Sequence, residues 1–386
     1  MMQRKFSFSA LTSTIILLTL CNLLTACSPT WEIAIQTPQG EWFLLNKKTL
    51  EPFTKFSQEV LDTTCIPLER ILVAAQHTIV EKIRISNQDG LDQTYPWAAI
   101  AEDSWICTNG DLVIEEISIQ ADTIEVIEAD VVNEVQASIT DIAPTAAFAL
   151  GIGPMSQATG KPILETQAAH VCLIFLDAFG YIPYQQAVQD GLIPYLSSLD
   201  TPIMALTVYP PATVPASASI LTGATKEVHG VDERSIRKTE AETLFDIATQ
   251  NGLTVSAVEG DALSFQLRNA YFILSGDRNE NGSTNDEVFA NALQVLEEGM
   301  PDLLWIHFHG IDDAGHTYGP GSPEENEAVQ QVDAAVEEII KQIPEDSLII
   351  IFADHGMHKV EDNEKKGNHG NLIPKDMLIP IFILEK

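Results

Sequence analysis

"WIHFHGIDDAGHTYGP", residues 305–320, begins as an apolar strand and ends in two carboxylates, a glycine and a histidine, with a Gly-Pro stop behind them. The question is why a buried-looking strand should finish in Asp312 and His316. The same grammar recurs elsewhere. "HVCLIFLDAFG" (170–180) runs into Asp177, "SLIIIFADHG" (347–356) runs into Asp354 and His355, and "GNHG" (367–370) supplies His369. Taken singly, each has an ordinary explanation, since an acid after a strand often caps the next helix and an isolated histidine is often a satisfied core or surface residue. Taken together, three aspartates and three histidines are a donor mixture that suits two Zn²⁺ or similar ions.

From residue 168 onward, apolar strand-like runs alternate with helical ones. Continuous apolar strands are expected of a parallel sheet covered on both faces, and alternation with helices predicts an open, doubly wound α/β layer with its site at the strands' carboxyl ends. "YPPATVPASASILTGATKEVHGV" (209–231) fits a nucleophile beside such a site. Thr213 falls at the start of a predicted helix, where backbone N–H groups and the helix dipole favour an anion. Metal coordination would lower the pKa of its hydroxyl.

This motif set resembles the alkaline phosphatase superfamily, and within it the type I phosphodiesterase/nucleotide pyrophosphatase branch. The residues that carry the resemblance are Asp177 in "LDAFG", Thr213 in "TVP", Asp312 and His316 in "DDAGHTYGP", Asp354 and His355 in "ADHGM", and His369 in "NHG". It implies an alkaline phosphatase-like, mostly parallel sheet. One metal ion would be held by Asp312, His316 and His369, and a second by Asp177, Asp354, His355 and the Thr213 oxygen. Thr213 would attack phosphorus to form a covalent phosphothreonine, which water then hydrolyses. Asp313 and His309 are expected as neighbours of the ligands, and His307 as a residue that orients a carboxylate. Two departures stand out. The branch commonly carries asparagine three residues after the nucleophile, where this chain has Ala216; Arg234 and Arg237 are the candidates to contact the substrate phosphate instead. The segment 137–165, with "DIAPT" at 141–145, resembles one that usually lies near the C-terminus of superfamily members, which suggests a catalytic domain circularly permuted in effect.

The rest of the chain bounds the function. With 55 Asp+Glu against 21 Lys+Arg, the 386 residues carry a net charge of −34, a field that repels nucleic acid polymers and anionic surfaces. Arg4 and Lys5 precede an apolar run that closes with Leu24-Thr25-Ala26-Cys27, similar to a bacterial lipobox. Residues 1–26 are therefore expected to be a lipoprotein signal peptide and Cys27 the lipidated first residue, giving an exported protein anchored to the cell envelope. Residues 27–128 are read as a small mixed α/β domain, weakly similar to sulfite-oxidase-like domains and carrying no cofactor motif, and 129–386 as the catalytic domain. Cys65 and Cys107 are placed to pair or to stay free. In "DRNENGSTNDE" (277–287), Asp277, Asn279 and Asn281 have the spacing of half a calcium loop, which a solvated polar loop explains equally well. The expectation is a metal-dependent hydrolase of small phosphate esters, a phosphodiesterase ahead of a phosphomonoesterase. An inactive binding lipoprotein is the alternative from another class.

Overall fold

The computed structural model describes residues 31–261, 263–361 and 364–386. The signal segment 1–26 and Cys27 lie outside the described residues. Among the described residues no helix is long and apolar enough to cross a membrane.

Eight strands form the large sheet: β1 (Ala137–Ser138), β2 (His170–Leu176), β3 (Ile203–Leu206), β4 (Val255–Gly260), β5 (Tyr271–Ser275), β6 (Leu303–Phe308), β7 (Ser347–Phe352) and β8 (Leu378–Glu385). Their order across the sheet is β1-β3-β8-β7-β2-β6-β4-β5. β2 lies between β6 and β7 and is parallel to both, with Cys172 opposite Leu304 on one side and Ile349 on the other. Only β8 runs against its neighbours, β3 and β7. Every residue of β6 and β7 is buried, which explains their largely apolar sequences: a parallel strand covered on both faces has no solvent side to mark.

The longer helices of this layer are α1 (Ile142–Ala149), α2 (Tyr181–Gln189), α3 (Thr213–Thr222), α4 (Leu244–Gln250), α5 (Asn285–Glu298), α6 (Gly310–Tyr318) and α7 (Pro323–Gln342). After β2 the chain moves to β3 on one side, then to β4, β5 and β6 on the other. That reversal opens a crevice at the carboxyl end of β2, the place where open α/β sheets bind ligands.

One expectation is corrected here. The acidic tail of residues 305–320 is not an extension of the strand: Gly310–Tyr318 is helical. Asp312 and Asp313 occupy its first turn and His316 its last, the placement that the helix dipole favours. Asp312 and His316 share one face because they are four residues apart.

Residues 33–128 build two five-stranded sheets. One has the order 42–45, 33–36, 123–128, 80–86, 92–96, and the other runs in chain order through 58–60, 63–67, 104–107, 112–114 and 117–119. Cys65 and Cys107 face each other across two antiparallel strands and are joined in a disulfide. The apolar core of this small unit includes Ile66, Leu72, Ile83 and Trp97, and continues into Tyr181, Leu372, Ile373 and Met377 of the large one. The strand at Ala137–Ser138 adds to β3, which in turn pairs with the C-terminal β8.

Candidate metal centre

At the carboxyl end of β2, Asp177 is followed by Ala178 in the left-handed region, at φ +62°. This turn aims the Ala178 N–H at the Asp354 carboxylate, 3.1 Å away. The Asp354 Oδ2 atom lies 3.2 Å from His355 Nε2, which is itself 3.5 Å from Asp177 Oδ1. Thr213 opens α3, its hydroxyl 3.4 Å from Asp177 Oδ1 and 3.3 Å from His355 Nε2. Beside this group, Asp312 Oδ1 is 3.4 Å from His316 Nε2 and 3.7 Å from His369 Nε2. The rings of His355 and His369 stack with centroids 3.9 Å apart, bringing the two groups together. The structure thus gathers all seven of the residues expected to hold metal: Asp177, Thr213, Asp312, His316, Asp354, His355 and His369.

The histidines are oriented by their backbone partners. Nδ1 of His316 meets the Gly367 carbonyl at 2.8 Å, that of His355 the Gly356 carbonyl at 3.0 Å, and that of His369 the Pro211 carbonyl at 2.9 Å. Each Nδ1 must donate, which leaves an Nε2 lone pair turned to the site. Burial lowers the pKa of all three imidazoles, that of His355 to about 4, and keeps them neutral near pH 7. Burial and the Asp177 charge push Asp312 and Asp354 well above the usual carboxylate range. Crowded carboxylates beside neutral imidazoles are what a cation would relieve.

Asp312 Oδ1, His316 Nε2 and Asp354 Oδ2 are buried and make no hydrogen bond. Orphaned lone pairs on such donors fit divalent metal ions. Among the described residues, the groups of three close carboxylate and imidazole donors are Asp312, His355, His369; Asp177, Asp354, His355; and Asp177, His307, His309.

The third group differs in kind, because its polar atoms satisfy one another. His307 lies 3.2 Å from Asp177 Oδ2 through Nε2 and 2.9 Å from Glu259 Oε2 through Nδ1. His309 also reaches both carboxylates, at 3.3 and 3.2 Å, and Trp305 donates its indole N–H to Glu259 at 2.7 Å. Burial opposes ionisation of Asp177, but the two imidazoles outweigh it and hold the carboxyl well below its usual range. His307 and His309 orient this carboxylate from behind. Glu259, at the end of β4, escapes sequence reading; its only signal is an acid closing the buried run "TVSAVEG".

Thr213, Asp177 and Asp312 open onto a cavity of about 240 Å³ that Arg234 and Arg237 also line. Ala216 is fully buried and faces the core rather than this cavity. Several oxygens of the loop at 277–287 are engaged locally, while Glu287 Oε2 is buried without a hydrogen-bonding partner. Asp277 accepts the N–H groups of Asn281 and Gly282, and Asn279 accepts that of Asn281 while donating to Asp286. Among the described residues, none of the groups of three close carboxylate and imidazole donors lies in this loop.

Residues 274–382 match the family model described as type I phosphodiesterase/nucleotide pyrophosphatase. A segment of 114 residues, 30% of the chain, is 29% identical to the mouse GPI ethanolamine phosphate transferase 3 catalytic subunit. Another of 86 residues, 22% of the chain, is 36% identical to GPI ethanolamine phosphate transferase 3 of Schizosaccharomyces pombe. These matches span about a tenth of the relatives' own length, 10% and 9%. Among solved structures, the chain is similar to human ectonucleotide pyrophosphatase/phosphodiesterase 5, with a TM-score of 0.45 and 14% identity over 56% of this chain and 88% of that one. It is also similar to phosphonoacetate hydrolase of Sinorhizobium meliloti with phosphonoacetate bound, with a TM-score of 0.39 and 21% identity over 51% and 58%.

Proposed function

We propose that the chain is a metal-dependent phosphodiesterase that transfers a phosphoryl group to Thr213 and then to water. The observation that carries this reading is a threonine hydroxyl at a helix start, within 3.4 Å of Asp177 and His355, beside donor atoms that have no hydrogen-bonding partner. Asp312, His316 and His369 would hold one divalent ion, and Asp177, Asp354, His355 and Thr213 the other. Zinc suits this donor set. When bound, such ions neutralise phosphoryl charge and favour the ionised form of a nearby hydroxyl.

The chain's own residues supply the rest. No side chain caps the N-terminus of α3, which would leave the Thr213 and Val214 N–H groups to the phosphate. Arg234 and Arg237 line the same cavity and would hold the non-bridging oxygens that Ala216 cannot reach. The Thr213 oxygen forms a bond to phosphorus as the bond to one alcohol breaks and that alcohol leaves with the hydroxyl proton; the other ester group stays on the phosphothreonine, and water then cleaves the threonine–phosphorus link, releasing a phosphate monoester and restoring the hydroxyl. Two arginines in the cavity also suit the second negative charge of a monoester.

The deciding measurement is kcat/KM on p-nitrophenyl phosphate diester and monoester with zinc present, beside Thr213→Ala. An ethanolamine phosphate diester joins the panel on the strength of the transferase similarity. Diester preference lost in Thr213→Ala supports the proposal. Monoester preference replaces it with a phosphatase, and no turnover on any substrate favours a binding protein. Export and lipidation are likewise proposed. The Cys65–Cys107 disulfide suits an oxidising compartment, and mass spectrometry of the N-terminal peptide for a lipidated Cys27 tests it.

A further inference from the structure

The loop that carries His369 is held by its own segment and by distant parts of the chain. The Asn371 and Gly370 N–H groups both donate to Asp376 Oδ2, at 3.0 Å each. Asp376 is fully buried and also holds His358 Nδ1, at 2.9 Å. Beside the Pro211 carbonyl that holds His369 Nδ1, further partners come from the small N-terminal unit, more than 250 residues away in sequence. Glu69 accepts the Leu372 N–H at 2.8 Å, and the Val80 N–H donates to the Leu372 carbonyl at 2.7 Å. Glu102 accepts from Asn368 Nδ2 at 2.9 Å and lies 3.3 Å from His358 Nε2. Residues on both sides of His369 are therefore tied to the small unit.

The same unit touches the two other segments that line the cavity. The Tyr209 hydroxyl, four residues before Thr213, donates to Glu69 at 3.4 Å. Lys55 and Arg70 bind Asp232, two residues before Arg234, through its carboxylate at 2.7 Å and its carbonyl at 3.2 Å. Packing alone would not require polar contacts on three separate site-bearing segments. Apolar contacts such as those of Leu372 and Met377 with the small unit's core already serve cohesion.

We propose that the N-terminal unit is the positioning scaffold of the metal centre, and that Glu102 and Glu69 are positioning residues that fix the His369 turn for metal binding. The proposal rests on the metal-centre reading above. Partners that orient a metal-binding histidine commonly contribute 10- to 100-fold to metal affinity, and Glu102 acts on this turn through Asn368 and His358.

The test is zinc affinity of the full-length chain in detergent, measured by competition with a chromogenic chelator. The chain is compared with Glu102→Ala, Glu102→Gln and His369→Ala, and amide exchange is followed at residues 370–372. The Glu102 side chain is 46% exposed, so its removal should leave the fold intact and Tm within about 2 °C. Glu102→Ala is expected to weaken one zinc equivalent by about 10-fold and to speed exchange of the turn. Glu102→Gln keeps an acceptor for Asn368 and should recover most of the loss. Unchanged zinc affinity in Glu102→Ala, with weakened zinc in His369→Ala, overturns the scaffold while leaving the metal centre standing. Unchanged zinc in His369→Ala overturns both.

Discussion

At Glu259 one buried carboxylate receives the Trp305 indole and both imidazoles, of His307 and His309. Burial alone would raise its pKa, yet the imidazoles bring it down to about 2. Glu259 thus fixes the two rings that hold Asp177. Glu259→Gln keeps the shape but not the charge, so zinc affinity and kcat/KM are expected to fall by about 10- to 100-fold, as chelator competition and initial rates would show. Glu69 behaves in the opposite way. Burial raises its carboxyl to about 8, helped by the Asp376 charge, while the Leu372 N–H and the Tyr209 hydroxyl work against the shift. Between its ordinary value near 4.5 and about 8, the folded state holds a proton that the unfolded state has released. The contribution of Glu69 to stability therefore falls as pH rises through that window. Glu69→Gln should gain stability relative to the unaltered chain from pH 5 to pH 8, read as the difference between their denaturant midpoints. A gap that stays constant across that range would show that Glu69 does not titrate there.

Among the elements, β2, β6 and β7 are legible because each is a continuous apolar run ending in a chemical group, and the helices between them carry their own periodicity. The boundary at Gly310 is not legible in the same way, since "GIDDAGHTY" reads as a strand's polar end until its i,i+4 spacing is seen as one helix face. β5 is missed because it is an edge strand whose Tyr271 and Leu274 are exposed, so no buried run marks it. The site ligands follow from motif order, whereas Glu259, Glu69 and Glu102 do not, because their partners lie 46 to 303 residues away in sequence. Pairing of Cys65 with Cys107 depends on register between two strands and could not be read from spacing. It closes a loop with a sequence separation of 42, for which chain entropy gives about 4 kcal/mol. Cys65→Ser with Cys107→Ser should lower stability by about 2–4 kcal/mol in urea unfolding of the small unit. A loss within about 0.5 kcal/mol would mean that the pairing of strands 63–67 and 104–107 needs no such link.

For the molecule as a whole, the charge of −34 and the phosphate chemistry proposed for its site pull in opposite directions. An acidic surface concentrates divalent cations and repels an anionic ester, while Arg234 and Arg237 attract it only at short range, inside the cavity. The two fields differ in reach, and salt separates them. Raising ionic strength from 0.01 to 0.1 M shortens the screening length from about 30 to about 10 Å, which weakens the repulsion of distant carboxylates far more than the pull of arginines next to the phosphate. For an anionic diester at saturating zinc, kcat/KM should therefore rise by about threefold or more over that range. An ester whose phosphate charge is balanced by an ammonium group should change little. A fall with added salt for the anionic diester would mean that the arginines govern capture from a distance and that the acidic surface lies away from the approach path. A rise confined to the anionic substrate would instead make net substrate charge a term in the protein's selectivity, one set by its surface as a whole and independent of the groups at the sheet edge.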